Sequence, residues 1–479
     1  MVPSAPAAKP VNKLSILIPV YNEAMTLERL LRRVLEVELP CARELVIVDD
    51  GSTDGSRDIL DRFAKQHPEI QVILHSRNQG KGSAIRTAIK HMTGDWAIIQ
   101  DADLEYDPGE YPKLLKPALL GIADAVFGSR FAMGEFRRAL YFWHTFANKT
   151  LTLFTNLFSG LNLTDMETCY KLIRADILKL LVIRSSGFDI EPELSIKLAR
   201  LGARIYEVPI SYRGRTYMEG KKIRAKDAVW ALLALVRYRF FDPNYCTHDG
   251  FLILQAVQKA PRFNRWMFEQ IAPHLGDEVL EAGCGIGNLT QFVLRKKRLV
   301  SLDIDPFYVD RIRNAYGNLT NLSIQQADIT NKADMQRAAA GGNFDGAFCL
   351  NVIEHIEDHV AALRNFYDVL KPGGRAAILV PNDPALYSGV DRTLGHCRRY
   401  TPELLTKTME EAGFKVEKCW GFNRVGGFGW RVSGKILRKT TLSAGQMRLF
   451  ELLMPIVKLA ERVPFHTHNS VIVVGIKPQ

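Results

Sequence analysis

The sequence predicts an α/β protein of two tandem domains. Three observations predict it. Two apolar strands, LSILIPV (14–20) and EVLEAG (278–283), each run into a polar or glycine-rich turn and then a helix. Behind each comes its own series of alternating apolar strands and helices, the pattern of a largely parallel sheet covered on both faces. Between the two series, DPNYCTHD (242–249) breaks the helical pattern with Pro, Asn and Asp.

The first series continues through strands near LVIVDD (45–50), QVILH (71–75), WAIIQDAD (96–103), AVFGS (125–129) and RIYEVPISY (204–212). It closes on helix KDAVWALLALVRYRFF (226–241). The second runs through LVSLDID (299–305), LSIQQAD (322–328), FDGAFCL (344–350), GRAAILVP (374–381), FKVEKCW (414–420) and SVIVVGIK (470–477). The expected division is a first domain over 12–241, a linker with a leading helix over 242–262, and a second domain over 263–479. An insertion over 423–469 separates the last two strands. It far exceeds a hairpin loop of about two to five residues and reads as a lid or acceptor module, or as a helical cap over the sheet.

Composition narrows the class. At roughly 150 residues per domain, 479 residues exceed one domain. Apolar residues at 47% and charged residues at 24% exclude disorder throughout. No run of about 20 apolar residues exists, so a bundle of membrane spans is excluded. The balance of 63 Lys+Arg against 52 Asp+Glu gives +11 and favours anionic partners such as nucleotides, lipid phosphates or a membrane surface. Nucleic acid is not among the expected partners. Seven cysteines without CxxC spacing argue against a disulfide framework or a structural zinc site and fit a reducing cytoplasm. MVPSAPAAKPVNK carries no apolar run after its charges, so no secretory signal is read.

The sharpest chemistry in the first half is Asp101 and Asp103, separated by Ala102, at the end of an apolar strand. In an extended chain residues i and i+2 share a face. Two such carboxylates repel unless a cation lies between them, and Mg²⁺ or Mn²⁺ with a diphosphate completing its shell resolves the repulsion. Two solvated loop aspartates are the alternative. The companions are PVYNE (19–23), VDDGSTDG (48–55), NQGKG (78–82) and GSR (128–130). Together these resemble the family-two glycosyltransferases of GT-A fold, most closely the dolichol-phosphate mannose synthase-like branch, over about residues 12–241.

The resemblance implies a nucleotide-sugar donor and a polyprenyl phosphate acceptor. It places Pro19, Tyr21, Glu23, Val48 and Asp50 around the nucleoside, and Asp101, Ala102 and Asp103 at metal and diphosphate. Glu105 stands where related synthases often carry Gln, as a third metal ligand. Arg130 would face the phosphates. Arg215 and Lys221 in RTYMEGKK would clamp diphosphate and acceptor phosphate. An anionic acceptor needs no strong general base. For a hydroxyl acceptor, Asp189 or Glu191 in GFDIEPE is a candidate, with a helix N-terminus as the alternative role. TDMETCYK (164–171) matches the family's acceptor-side segment, so Asp165 is a second base candidate. Aromatic and basic residues in 137–158 and in helix 226–241 suit an anionic bilayer surface, or ordinary core packing.

In the second half, EAGCGIGN (281–288) follows the first strand, with Asp303 and Asp328 ending the next two. Glycines admit a ligand close to the backbone. A carboxylate at 303 can hold ribose hydroxyls, and one at 328 can accept from an adenine amine. No cationic phosphate clamp accompanies them, which suits S-adenosylmethionine better than a diphosphate cofactor. With CLNVIEHIEDH (349–359), LKPGGRAAILVPN (370–382) and RRYTPELLTKTMEEAGF (398–414), the half resembles class I SAM-dependent methyltransferases with a Rossmann-like fold. The resemblance places Glu281, Gly283, Gly285, Asp303, Asp328 and Asn351 near SAM. His355 is a candidate base toward the methyl acceptor, or a helix-start residue, and His396 in GHCRRY is a second candidate.

The expected function is bifunctional: metal-dependent, inverting sugar transfer to a polyprenyl phosphate, and SAM-dependent methylation of a glycan or lipid-linked acceptor. The alternatives are sugar transfer to a glycan or protein hydroxyl, or one half acting only as a binding domain. The expected location is cytoplasmic and peripheral, on the inner face of a membrane.

Overall fold

Apolar runs such as Leu14–Val20 and Leu45–Val48 leave neither face of a strand suited to water, and both runs are buried almost throughout. The computed structural model describes residues 11–132, 142–214, 225–432, 444–461 and 468–479. The chain forms two compact units, dividing between Thr247 and His248.

The first unit holds a seven-stranded sheet: β1 (Lys13–Val20), β2 (Ala42–Asp49), β3 (Ile70–Leu74), β4 (Trp96–Ile99), β5 (Ala125–Ser129), β6 (Lys171–Arg174) and β7 (Ile205–Pro209), in the order β3-β2-β1-β4-β6-β5-β7. All pairings are parallel except those of β6, which runs antiparallel to β4 and β5. The order reverses between β1 and β4, so the chain leaves the carboxyl ends of those strands in opposite directions and opens a crevice. Because β6 is antiparallel, the residues preceding it arrive at that same end of β4. The Cys169 thiol donates to the Ile99 carbonyl at 3.6 Å.

The second unit repeats the principle with β8 (Glu278–Ala282), β9 (Arg298–Asp303), β10 (Leu322–Gln326), β11 (Phe344–Leu350), β12 (Leu370–Pro381), β13 (Lys415–Phe422) and β14 (Ser470–Ile476). The order is β10-β9-β8-β11-β12-β14-β13, with β14 antiparallel to both neighbours. Its reversal lies between β8 and β11.

The expected linker 242–262 is shared between the units. Asp242 accepts from Arg184 and forms an ion pair with Lys197, and Tyr245 is buried in the first. Helices Asp249–Gln258 and Pro261–Ile271 belong to the second. Of the insertion 423–469, the structure describes helix Arg424–Trp430 and helix Ala444–Ala460. The latter buries Met454 and Val457 against the core and leaves Leu449, Leu452, Ile456 and Leu459 exposed.

Candidate active sites

β4 stops at Ile99, so Asp101 and Asp103 stand in a bend beyond the strand and do not share a strand face. Gln100 anchors that bend. Its buried amide oxygen accepts from the hydroxyls of Tyr111 (2.6 Å) and Tyr170 (2.7 Å). An Asp103 carboxylate oxygen accepts from the Glu105 amide at 3.2 Å. The Thr26 hydroxyl lies 3.1 Å from the Ala102 carbonyl and 3.0 Å from a Glu23 carboxylate oxygen, tying the turn after β1 to the bend after β4.

The turn after β2 is held as tightly. Asp50, 3% exposed, accepts from the amides of Gln79 (3.0 Å) and Gly80 (2.6 Å) and contacts His75 at 2.7 Å. Its carboxylate therefore fixes the Gln79–Gly80 turn. Gly80 has φ +94°, and a Cβ there would stand 2.3 Å from the Ser186 carbonyl oxygen, so only glycine fits. Pro19 is half-buried, Val48 fully buried and Tyr21 exposed.

That turn delivers Lys81 to the site. Its ammonium lies 2.7 Å from Asp101 and 3.1 Å from Glu191. Burial works against the Lys81 charge, but its anionic neighbours, Asp101 first and Glu191 among them, together outweigh it and raise the pKa well above the lysine range. Glu191, 3% exposed in the first turn of helix Ile190–Leu201, also accepts from buried Lys171 at 2.6 Å. Asp189 turns one oxygen back to the Gly187 amide at 3.1 Å. Asp165 is fully buried and forms a two-pronged pair with Arg130, Nε at 2.6 Å and Nη2 at 2.7 Å. Arg130 stacks 5.0 Å from the centre of the Tyr212 ring, whose hydroxyl donates to Glu105 at 2.5 Å.

The structure thus joins Asp101 with Glu191 through Lys81, and Glu105 with Asp165 through Tyr212 and Arg130. Three carboxylates of the bend, Asp101, Asp103 and Glu105, offer the hard oxygen donors that Mg²⁺ or Mn²⁺ takes. Arg215 and Lys221 lie outside the described residues. Glu167 was not singled out by its sequence. One of its carboxylate oxygens is buried without a hydrogen-bond partner among the described residues, and burial pushes the carboxyl up to about 7.

In the second unit the glycine turn after β8 wraps around Asp303. The Gly285 amide donates to one Asp303 carboxylate oxygen at 2.8 Å, and the Asp305 backbone amide donates to the other at 3.0 Å. Gly283 has φ +75°, and a Cβ on it would lie 2.2 Å from Cγ2 of Val352. That contact seats the turn against Asn351, which itself has φ +56° and bonds back to the Leu379 carbonyl at 2.8 Å. Glu281 is 1% exposed, accepts from the Ser301 hydroxyl at 2.7 Å, and is pushed by burial up to about 7. One Asp328 oxygen accepts from the Thr330 hydroxyl at 2.7 Å. Glu281, Gly283, Gly285, Asp303 and Asn351 converge on the crevice between β8 and β11. A polar, glycine-lined crevice bearing carboxylates fits the donor chemistry of S-adenosylmethionine.

His355 is exposed and follows Asn351 in the turn after β11. His396, 7% exposed, meets it edge to face with ring centres 4.8 Å apart. Sequence reasoning passed over Glu354 between them, whose carboxylate is fully buried.

Glycosyl transferase family 2 matches residues 15–181, and a methyltransferase domain family matches residues 254–418. An undecaprenyl-phosphate mannosyltransferase of Micrococcus luteus is 32% identical over 215 residues, covering 43% of this chain and 85% of that protein. An undecaprenyl-phosphate 4-deoxy-4-formamido-L-arabinose transferase of Edwardsiella ictaluri is 32% identical over 217 residues, covering 44% of this chain and 64% of that protein. Among solved structures, a glucosyl-3-phosphoglycerate synthase of Mycobacterium tuberculosis holding Mn²⁺, UDP-glucose and phosphoglyceric acid aligns with TM-score 0.38 and 20% identity, over 47% of this chain and 79% of that one.

Proposed function

For a chain that belongs to glycosyl transferase family 2 through its first half and carries a methyltransferase domain in its second, we propose a sugar transfer from a nucleoside diphosphate donor to a polyprenyl phosphate. The second half then methylates a glycan or lipid-linked acceptor with S-adenosylmethionine. The relatives' acceptor is a polyprenyl phosphate, and one observation in this chain favours the same. Of the carboxylates considered as bases, Glu191 is closed by two lysines and Asp165 by Arg130. Both oxygens of each are engaged by those cations, so these carboxylates position their partners and present no free oxygen to an acceptor hydroxyl. An acceptor phosphate is already an anion and needs none.

In this reading Asp101, Asp103 and Glu105 hold a Mg²⁺ or Mn²⁺ ion, which neutralises the departing diphosphate. Lys81 and Arg130, fixed by their carboxylate partners, supply preorganised positive charge beside it. Arg215 and Lys221 complete the phosphate clamp. Pro19, Tyr21, Glu23, Val48 and Asp50 shape the nucleoside end, Asp50 by fixing the turn that carries Lys81. Attack from the face opposite the leaving group inverts the anomeric carbon. A hydroxyl acceptor is favoured by Glu167, one of whose oxygens has no partner among the described residues, and by Asp189, which engages one oxygen with the Gly187 amide.

No described helix is long and apolar enough to cross a membrane. Helices Phe142–Ser159 and Ala225–Phe240 pack together through Phe158 and Phe240, yet leave Phe142, Trp143, Phe146, Trp230 and Leu233 exposed beside Arg237 and Arg239. Such a surface suits an anionic bilayer, where a polyprenyl phosphate resides. Salt-sensitive sedimentation with anionic liposomes, weakened by Trp143→Ser with Trp230→Ser, tests that position.

The deciding experiment incubates the full chain with labelled GDP- and UDP-sugars, Mn²⁺ and undecaprenyl phosphate. Label entering the lipid extract, and lost in Asp103→Ala, supports the reading. Label passing only to glycan or protein hydroxyls, or turnover unchanged in Asp103→Ala, overturns it.

A further inference from the structure

Two loops of the second unit are laced together at the carboxyl edge of its sheet. The Cys397 amide donates to the Glu354 carbonyl at 2.8 Å, and the Cys397 thiol to the His355 carbonyl at 3.4 Å. The lacing brings one donor atom each from Glu354, His355 and His396 within 4.8 Å of one another.

Glu354 is fully buried, and neither carboxylate oxygen has a hydrogen-bond partner among the described residues. Buried polar groups are almost always paired, so two orphaned oxygens on one side chain require a missing partner. The nearby guanidinium of Arg399 is already engaged by Asp391 (2.8 Å) and the Asn382 carbonyl (3.0 Å). His396 Nε2 lies 3.9 Å from a Glu354 oxygen. That is too long for a hydrogen bond. It does suit two ligands of one ion at bond lengths of about 2.0–2.2 Å.

The other nitrogen of His396 settles the tautomer. Nδ1 lies 2.9 Å from an Asp391 carboxylate oxygen. The same Asp391 carboxylate also accepts from Arg399 Nε at 2.8 Å and from the Ser388 hydroxyl at 2.9 Å. Asp391 thus acts as acceptor to each of these neighbours, so Nδ1 faces it as donor and Nε2 is the nitrogen left facing Glu354. A carboxylate orienting a histidine from behind is the usual support of a metal ligand.

We propose that Glu354, His355 and His396 bind a divalent transition metal of the zinc class, with an open position for a hydroxyl of the methyl acceptor. Two imidazoles and one carboxylate suit such an ion better than Mg²⁺. The site deepens the methyltransferase reading and rests on it for its role. The bound hydroxyl releases its proton to solvent, and its oxygen attacks the sulfonium methyl carbon. A C–O bond forms, the C–S bond breaks with its electron pair passing to sulfur, and the neutral thioether leaves. Glu354 and His355 lie in the turn directly after Asn351, next to Val352, which packs against the glycine turn, and His396 reaches them from the second loop.

The test uses the full chain carrying Asp101→Ala and Asp103→Ala, which removes the other proposed metal position. Co²⁺ is titrated and followed by its visible absorption, with bound Zn²⁺ measured after dialysis. One equivalent is expected, with affinity falling by about tenfold or more in His396→Ala, His355→Ala and Glu354→Gln. Exposed His355 can be lost without unfolding the unit, and SAM affinity by calorimetry should hold in that variant. No metal retained by the parent, or equal retention in His355→Ala and Glu354→Gln, overturns the site. Metal bound without SAM affinity would leave the site standing and refute the methyltransferase reading.

Discussion

The Lys81 ammonium stands 2.7 Å from an Asp101 carboxylate oxygen. A protein cation therefore already occupies one arm of the carboxylate bend proposed to hold a metal. A divalent ion must share Asp101 with it. Lys81→Met removes the competitor, and Mn²⁺ should bind the donor-free chain about tenfold more tightly. Electron paramagnetic resonance of free Mn²⁺ measures this directly. Unchanged or weaker binding would mean that Asp101 is not a ligand.

Arg130 holds Asp165 through two nitrogens, at 2.6 and 2.7 Å, while its face rests on Tyr212. Lysine keeps the charge but cannot make both bonds or stack. Arg130→Lys should lower kcat/KM for sugar transfer by about 10- to 100-fold with the circular dichroism spectrum preserved. A variant with full activity would show that charge alone matters at this position.

Legibility in the sequence follows range. The strands, the two crevices and the turn motifs were readable because alternation and glycine placement are local. β6 was not. It has four residues and begins with buried Lys171, whose charge hides the apolar pattern. Without β6 the route bringing Thr164–Tyr170 to Asp101 is invisible. The Asp101–Ala102–Asp103 motif is legible, but the shared strand face expected of its two carboxylates is not what the structure has, because β4 ends before it. Glu191 was identified as either base or helix-start residue. Its partner Lys81 is 110 positions away, and no spacing rule links them. Glu354 was overlooked beside His355 because its burial and missing partners exist only once the 353–357 and 395–399 loops meet.

The turn after β8 gives a prediction with an internal control. Gly283 has a left-handed backbone and no room for a Cβ, since Cγ2 of Val352 would lie 2.2 Å away. Valine is stiff at χ1 and cannot yield easily. Gly283→Ala should weaken SAM binding by about tenfold or more by calorimetry. Sugar transfer, carried by the other unit, should be unaffected. Intact SAM affinity would remove this turn from the cofactor site.

Glu281 links the same site to pH. Its carboxyl is buried against Ser301, and burial pushes it up to about 7, above the ordinary glutamate value of 4.5. Between those values the folded chain keeps a proton that the unfolded chain releases. Stability from this group is therefore fully present below the unfolded value and is lost as pH rises through about 7. Glutamine cannot titrate and can still accept from Ser301. Glu281→Gln should match the parent near pH 4.5 and exceed it above pH 7, by on the order of 3 kcal/mol for the second unit. Calorimetric melts of the full chain at both pH values, following the transition that SAM shifts, measure the difference. A gap of the same size at both would mean that Glu281 is ionised throughout, with a cation at its carboxylate.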